Sequence, residues 1–369
     1  MNTNQRLSTP FEIMNLHTQQ LHQTGVSLWL DNITRELLNK GTLAKYINEF
    51  SVTGLTSNPT IFDHAIANTD FYDKAIHQKV KAGKSGETLF FEIAIEDLSR
   101  AADLFKPVYE RTNGLDGWVS LEVSPLLAYD TDSTTQAAQR LFKQAARPNL
   151  FIKIPGTPQG LPAIEQAIFA GVPVNVTLLF SAEQYTAAAE AYLRGIERRI
   201  DAGLYPDVRS VASIFISRWD KATMGKVPAD LQNKLGIAVA QRAYNAYCQF
   251  MGSEQMLRAM NFGAHPQRLL WASTGTKDPH ASDILYIRDL VAPYTINTMP
   301  EETLLAFADH GETGVSLPSD NSAADQVIAA FEKAGIGYEQ LAAQLQKDGA
   351  DSFVKSWNDL LAAIDAKGK

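Results

Sequence analysis

Short apolar segments alternate with amphipathic segments along most of the chain. The apolar segments have the length and composition of β-strands, and they cover residues 27–31, 54–58, 118–123, 150–154, 172–179, 210–217, 268–274 and 294–299. Between most of them apolar residues recur at helical spacing, as in residues 135–146 and 181–196. Strands that alternate with helices predict βαβ units and a parallel sheet.

Eight such strands predict an α/β fold, a closed (β/α)₈ TIM barrel. The alternative is an open, doubly wound sheet, but no GxGxxG or GxxxxGK[ST] motif follows any predicted strand. We interpret residues 1–369 as a single domain in which residues 1–25 form a helical lead-in. Residues 320–369 have helical periodicity, and these helices either pack outside the barrel or cover one of its mouths.

Composition narrows the possible functions of such a barrel. The net charge is -8 and no basic stripe offsets it, which argues against nucleic-acid binding. A few cations in a cleft would still allow an anionic substrate. Cys248 is the single cysteine, so a disulfide framework is excluded, and the seven scattered histidines form no HxxxH pair, so we expect no metal site.

The sequence also carries no sign of membrane insertion or secretion. No run reaches the roughly 18 apolar residues that a transmembrane helix needs. The first twenty residues are polar and contain no secretory apolar region. We therefore expect a cytoplasmic protein that does not bind membranes.

Several predicted strands carry polar residues at alternate positions, which places those residues on one face of each strand. The sets are Thr56 and Asn58, Ser120 and Glu122, Asn175 and Thr177, and Ser213, Phe215 and Ser217. Polar groups inside a barrel are costly unless they have partners or a function. Asp31 and Lys153 lie at or near the ends of their strands, where barrel enzymes carry their chemistry.

Lys153 lies in the apolar segment LFIKIP and has two interpretations. An edge-strand lysine would keep its ammonium group in water beyond an apolar stem. A Schiff-base lysine would use apolar surroundings to favour the neutral amine, which attacks carbonyls. Glu122 and Asp31 favour the interpretation as a Schiff-base lysine, because two carboxylates near Lys153 would donate and accept protons. Their alternatives are an ion pair of Glu122 with Lys153 and an N-cap role for Asp31.

Six segments resemble the transaldolase family and follow the family's order from about residue 27 to about residue 300. GLTSNPTIF at 54–62 and LFIKIPGTPQGLPAIEQAIFAG at 150–171 resemble its two signatures. The other matching segments are WLDNITREL at 29–37, LEVSPLLAYDT at 121–131, VNVTLLFSAEQY at 174–185 and SIFISRWD at 213–220. The length and NTMPE at 297–301 are most similar to the longer bacterial branch.

The resemblance implies a (β/α)₈ barrel and a class I aldol mechanism without a cofactor. It implies that Lys153 forms a Schiff base with a ketose phosphate. Asp31 would take the hydroxyl proton as the carbon–carbon bond breaks. Glu122 and Thr177 would hold the water that carries protons during imine formation.

The same resemblance implies a set of substrate-binding residues. Asn58, Asn175 and Ser213 would bind hydroxyl groups, and Phe215 would shape the pocket beside the water. Arg218, Ser273 and Lys277 would hold the phosphate. The stretch ASTGTKDP at 272–279 departs from the shorter branch, in which an arginine follows the serine closely, so Lys277 is a weaker assignment than Arg218. The simpler alternatives are surface pairs of Arg218 with Asp220 and of Lys277 with Asp278.

The implied reaction is the reversible transfer of dihydroxyacetone from sedoheptulose 7-phosphate to glyceraldehyde 3-phosphate, which gives erythrose 4-phosphate and fructose 6-phosphate. An alternative is a fructose 6-phosphate aldolase, but that activity goes with shorter chains and a tyrosine at the position of Phe215. A catalytically silent binding barrel is a second alternative, disfavoured because buried charges without a role are costly. The expected partners are sugar phosphates, and the sequence leaves a monomer or a homodimer open.

Overall fold

The computed structural model describes residues 14–318 and 320–369, and its strands form one parallel, eight-stranded sheet. The strands are β1 Ser27–Leu30, β2 Val52–Leu55, β3 Val119–Glu122, β4 Leu150–Pro155, β5 Val174–Leu179, β6 Ser210–Phe215, β7 Arg268–Ala272 and β8 Ile296–Met299. They pair in the order β2-β1-β8-β7-β6-β5-β4-β3. A parallel bridge between Gly54 and Trp118 joins β2 to the start of β3. The predicted TIM barrel is confirmed, and the open sheet is wrong.

Helices surround the barrel, as the amphipathic segments predict. They are α1 Leu16–Gln23, α2 Arg35–Asn39, α3 Thr42–Glu49, α4 Pro59–Asn68, α5 Asp73–Lys81, α6 Gly86–Arg111, α7 Thr131–Ala145, α8 Gly160–Phe169, α9 Ala182–Asp201, α10 Ser217–Thr223, α11 Leu235–Met251, α12 Glu254–Asn261, α13 Leu285–Arg288, α14 Glu301–His310, α15 Ser322–Lys333 and α16 Tyr338–Lys367. Within the described ranges, none of these helices is long and apolar enough to cross a membrane.

In two predicted strands, polar residues assigned to a strand face lie beyond the observed carboxyl end of the strand. β2 ends at Leu55, so Thr56 and Asn58 follow the strand. Asn58 instead caps α4, where its side-chain oxygen accepts a hydrogen bond from the Ile61 amide and proline takes the first helical position. β6 ends at Phe215, and Ser217 begins α10. The other six strands agree with the prediction to within two residues at each end.

The terminal helices resolve one question that the sequence left open. α1 lies within the predicted lead-in, of which residues 1–13 are outside the described residues. α15 and α16 account for the helical periodicity after residue 320. Gln346 of α16 donates hydrogen bonds to the carbonyl oxygens of Gly156, at 3.1 Å, and Leu178, at 2.9 Å. These carbonyls lie at the carboxyl ends of β4 and β5, so α16 covers part of that mouth.

A buried polar network ties the opposite, N-terminal end of the barrel together. The Asp116 carboxylate accepts hydrogen bonds from Ser27 at 2.7 Å, from Trp29 at 3.2 Å and from Arg268 at 3.2 Å. A second Arg268 nitrogen donates to the Ser27 hydroxyl at 2.7 Å. The network therefore joins β1, β7 and the loop before β3. The side chains of Arg268 and Asp116 are only 10% and 4% exposed.

We predict that Asp116→Ala lowers the free energy of unfolding by about 3–5 kcal/mol, because it leaves the Arg268 charge buried without its partner. Urea denaturation measures the change. Asp103→Ala is the matched control, since its 2.7 Å pair with Arg147 is at the surface and such pairs contribute only about 0–1 kcal/mol. Equal losses in the two variants would contradict the structural role of the network.

Candidate active site

A cavity of about 520 Å³ opens at the C-terminal mouth of the barrel, beside α16. Its lining contains eight of the eleven site residues predicted from the sequence: Asp31, Asn58, Lys153, Ser213, Phe215, Arg218, Ser273 and Lys277. The other three, Glu122, Asn175 and Thr177, are buried and do not line it. The predicted residues therefore converge from most of the strands on one site.

Lys153 projects from β4 into this cavity, and its side chain is only 5% exposed. The interpretation of an edge-strand lysine in water is therefore wrong. Its surroundings are also less apolar than the sequence predicts: Nζ lies 3.3 Å from Glu122 Oε2 and donates to the carbonyl oxygen of Ser57 at 3.1 Å. Lys153 and Glu122 therefore lie within ion-pair distance of each other at the cavity.

Glu122 is the register partner of Lys153 on the neighbouring strand β3. Burial raises the pKa of the Glu122 carboxyl, and the positive charge of Lys153 opposes that shift. Apart from the ion pair with Lys153, the Glu122 carboxylate oxygens have no hydrogen-bond partner among the described residues, and the buried Thr177 hydroxyl has none there either. Buried polar groups in proteins usually have partners, so these two side chains retain hydrogen-bonding capacity for a further group.

Asp31 follows β1 and faces the same cavity. The Thr56 hydroxyl donates to its carboxylate at 2.7 Å and also lies 2.7 Å from the Thr298 hydroxyl. Burial raises the pKa of Asp31, although the charges of Lys153 and Lys277 act in the opposite direction. A carboxylate with a raised pKa is a stronger base than an aspartate in water.

The proposed N-cap role of Asp31 is wrong. The helix that follows, α2, begins only at Arg35, and its N-cap is Thr34. The Thr34 hydroxyl accepts a hydrogen bond from the Leu37 amide at 3.1 Å. The Asp31 carboxylate therefore does not cap α2, and it lines the cavity.

A chain of amide and hydroxyl groups forms the floor of the cavity. The Ser213 hydroxyl donates to the Asn175 side-chain oxygen at 2.7 Å, and the Asn175 amide donates to the Ser120 hydroxyl at 3.1 Å. Ser213 therefore lines the cavity. Asn175 does not line it, but holds the Ser213 hydroxyl through a hydrogen bond.

Arg218 lies in the first turn of α10, immediately after β6, and lines the cavity. Burial lowers the pKa of its guanidinium, with Glu122 and Asp348 opposing the shift. The surface pair with Asp220 is wrong. Asp220 is buried and accepts a hydrogen bond from the Tyr286 hydroxyl at 2.7 Å, as well as from backbone amides at the start of α11.

Lys277 and Ser273 come from the segment after β7 and line the cavity beside Arg218. The predicted pairing of Lys277 with Asp278 is not present: the Asp278 carboxylate accepts hydrogen bonds from the Asn233 amide and the His280 backbone instead. Ser273 has a left-handed backbone, with φ at 56°, and its hydroxyl lies 2.9 Å from that of Ser217. Arg218, Ser273 and Lys277 thus contribute three hydrogen-bond donors to the lining of the cavity.

Sequence reasoning did not assign several lining residues, notably Thr298, His64 and Phe353. Thr298 could have been found by the signal used elsewhere, because it is a polar residue within the buried strand β8. Phe353 gives no such signal, since an aromatic residue in an amphipathic helix is ordinarily part of the core. Within the described ranges, no group of three or more His, Cys, Asp and Glu side chains is arranged to hold a metal ion.

Comparison with known proteins agrees with this geometry. A protein named transaldolase from Thermobifida fusca is 45% identical over 355 residues, which cover 94% of this chain and 96% of the relative. Transaldolase 2 of Streptomyces coelicolor is 42% identical over 360 residues, covering 95% and 97%. The family model described as transaldolase/fructose-6-phosphate aldolase matches residues 28–364. The chain therefore belongs to the transaldolase/fructose-6-phosphate aldolase family.

Proposed function

We propose that this protein transfers a dihydroxyacetone unit from sedoheptulose 7-phosphate to glyceraldehyde 3-phosphate, through a Schiff base on Lys153. The products are erythrose 4-phosphate and fructose 6-phosphate, and the reaction is reversible. The observation that carries the proposal is a buried lysine amine in the C-terminal cavity, 3.3 Å from one carboxylate and sharing that cavity with a second. The names of the relatives favour transfer over the fructose 6-phosphate aldolase alternative.

Imine formation begins when the ammonium of Lys153 loses a proton, and Glu122 is the nearest carboxylate. The amine then attacks the ketose carbonyl, and the carbonyl oxygen leaves as water after it has been protonated. The hydrogen-bonding capacity of Glu122 and Thr177 supports a water held between them that relays these protons. Glu122 therefore acts through water rather than on the substrate directly.

Bond cleavage is assigned to Asp31. Its carboxylate takes the proton from the hydroxyl group beside the breaking carbon–carbon bond, and the protonated imine receives the electron pair. An enamine of dihydroxyacetone stays on Lys153 while the first aldehyde leaves. The Ser213 hydroxyl, which donates its proton to Asn175, accepts a hydrogen bond from one hydroxyl group of this intermediate, and the Asn58 side-chain amide donates to another.

The substrate phosphate binds at the cationic end of the cavity. Arg218 offers a planar fork that matches phosphate oxygens, and Lys277 and Ser273 add an ammonium and a hydroxyl donor. Within the cavity, these cations offset the repulsion between a sugar phosphate and a protein whose net charge is -8. We further propose sugar phosphates as the sole partners needed for catalysis and the cytoplasm as the location, and a monomer or a homodimer fits this scheme.

The covalent intermediate provides the first test. Incubation with fructose 6-phosphate and borohydride is expected to add one dihydroxyacetone unit to Lys153, as detected by peptide mass analysis. Lys153→Ala should lose both the adduct and turnover, whereas Lys143→Ala, which removes a lysine from the exterior helix α7, should keep both. In a coupled assay with erythrose 4-phosphate, transfer should exceed the release of dihydroxyacetone. An adduct on another lysine would refute the assignment.

Replacing either carboxylate is expected to slow a different step of the reaction, by about 10²–10⁴-fold in each case. Asp31→Ala should still form an imine but cleave it slowly, so the trapped adduct keeps the complete donor skeleton. Glu122→Gln should slow formation of the adduct itself. Glu110→Gln, at an exposed carboxylate on α6, is the control. Near-normal turnover in both active-site variants would make these carboxylates structural.

Phosphate recognition predicts a dependence on the substrate. Arg218→Ala should lower kcat/KM for fructose 6-phosphate by about one to two decades, because a charged hydrogen bond contributes roughly 1.5–3 kcal/mol. Activity with unphosphorylated fructose should change far less. Lys277→Ala should act in the same direction, and Arg147→Ala, at an exposed pair with Asp103, should have no effect. Equal losses with both donors would show that these residues do not bind the phosphate.

A further inference from the structure

The aromatic ring of Phe353 lies near two charged side chains of the cavity, Lys153 and Arg218. It comes from α16, lines the cavity and is only 4% exposed. Its centroid is 5.9 Å from Lys153 Nζ and 5.8 Å from Arg218 Cζ. One ring therefore contacts both the lysine that would carry the substrate carbon and the arginine that would hold the phosphate.

Contacts on both sides of Phe353 fix the position of this helix over the mouth. Before it, Gln346 donates to the carbonyl oxygens of Gly156 and Leu178, at the ends of β4 and β5. After it, the Ser356 hydroxyl lies 2.8 Å from the Thr60 hydroxyl of α4. Because side-chain hydrogen bonds anchor the helix at both positions, the ring has a determined place over the cavity.

Gly349 allows the close approach that brings the ring into the cavity. Glycine is unfavourable in the middle of a helix, and Gly349 lies well inside α16. A Cβ atom at this position would lie 2.9 Å from Leu178 Cδ2 and 3.0 Å from Arg218 Nη1. Both distances are shorter than ordinary van der Waals contact, so a larger residue would displace the ends of the Leu178 and Arg218 side chains.

We propose that Phe353 is a specificity-determining residue that keeps water from the enamine on Lys153 and so favours transfer over release of dihydroxyacetone. The inference rests on the proposed function. After cleavage, the enamine carbon has two fates. Its electron pair either forms a new bond to the acceptor aldehyde carbon, whose oxygen takes a proton, or it takes a proton from water. In the second case hydrolysis of the imine consumes water, frees dihydroxyacetone and returns the lysine amine.

The apolar ring of Phe353 favours the first of these two fates, in which the enamine carbon bonds to the acceptor aldehyde. Water that would reach the enamine from the side of α16 meets the ring instead, and a dry site suppresses this side reaction. The ring face also attracts the positive charge of the imine and of Arg218. It therefore orders both ends of the substrate without donating a hydrogen bond.

The test measures the ratio of dihydroxyacetone release to transfer, with fructose 6-phosphate as donor and erythrose 4-phosphate as acceptor. Phe353→Ala should raise this ratio about tenfold. Such a rise needs only a small change in the difference between the activation free energies of release and transfer. Phe353→Leu keeps an apolar side chain and should stay close to the wild type. An unchanged ratio in Phe353→Ala overturns the proposal.

Phe331→Ala is the matched control. Phe331 lies on α15, is 1% exposed and packs in the same apolar cluster as Phe353, but it does not line the cavity. It should lose stability in thermal denaturation without a change in the ratio. An equal rise in Phe331→Ala would overturn the role of the ring.

Borohydride trapping separates this inference from the proposed function. If the wild type gives no adduct on Lys153, the proposed function fails. If the adduct forms in the wild type and in Phe353→Ala, only the partition ratio decides the role of the ring. Should Phe353→Ala fail to fold in the thermal assay, Phe353→Gln, which replaces the apolar ring by a polar side chain, gives the decision, and an unchanged ratio there overturns the proposal.

Discussion

The buried ion pair between Lys153 and Glu122 is the constraint on which the rest of the site depends. Removing two charges from water costs several kcal/mol for each ion, and only good geometry offsets that cost. The parallel register of β3 and β4 supplies the geometry, because it places the two residues directly opposite each other. The Ser57 carbonyl provides a further acceptor for the ammonium group. A barrel without this register would leave a lysine buried and unpaired.

Burial of the ionisable side chains of the site lowers the free energy of unfolding, and other parts of the barrel offset that loss. Burial raises the pKa of both Asp31 and Glu122. A carboxyl group whose pKa is higher in the folded state favours folding while it is protonated, and this contribution is lost as the pH rises through that pKa. As the pH rises through its raised pKa, each of these carboxyl groups therefore comes to oppose folding. The network around Asp116 lies at the other end of the barrel, where it supports the fold without meeting the substrate.

The C-terminal mouth is completed by chain segments that are remote in sequence. The ends of β5 and β7 contain left-handed residues, Leu178 and Ser273, with φ at 58° and 56°. Such conformations are uncommon outside glycine and persist where surrounding contacts determine them. At Leu178 those contacts come from α16: Gln346 binds its carbonyl oxygen, and Gly349 leaves room for its side chain. The helix and the strand end therefore hold each other in place.

The sequence by itself determined the barrel and most members of the site. Alternating strand and helix periods specify local conformation, and polar residues at every second position, such as Glu122 and Thr177, identify the faces that meet inside. Only the tertiary structure decided that Asn58 caps a helix, that Lys153 faces a carboxylate and that α16 brings Phe353 over the cavity. The reason is physical. A periodic pattern reports which side of an element is buried, whereas contacts between residues far apart in the chain exist only once the barrel has closed.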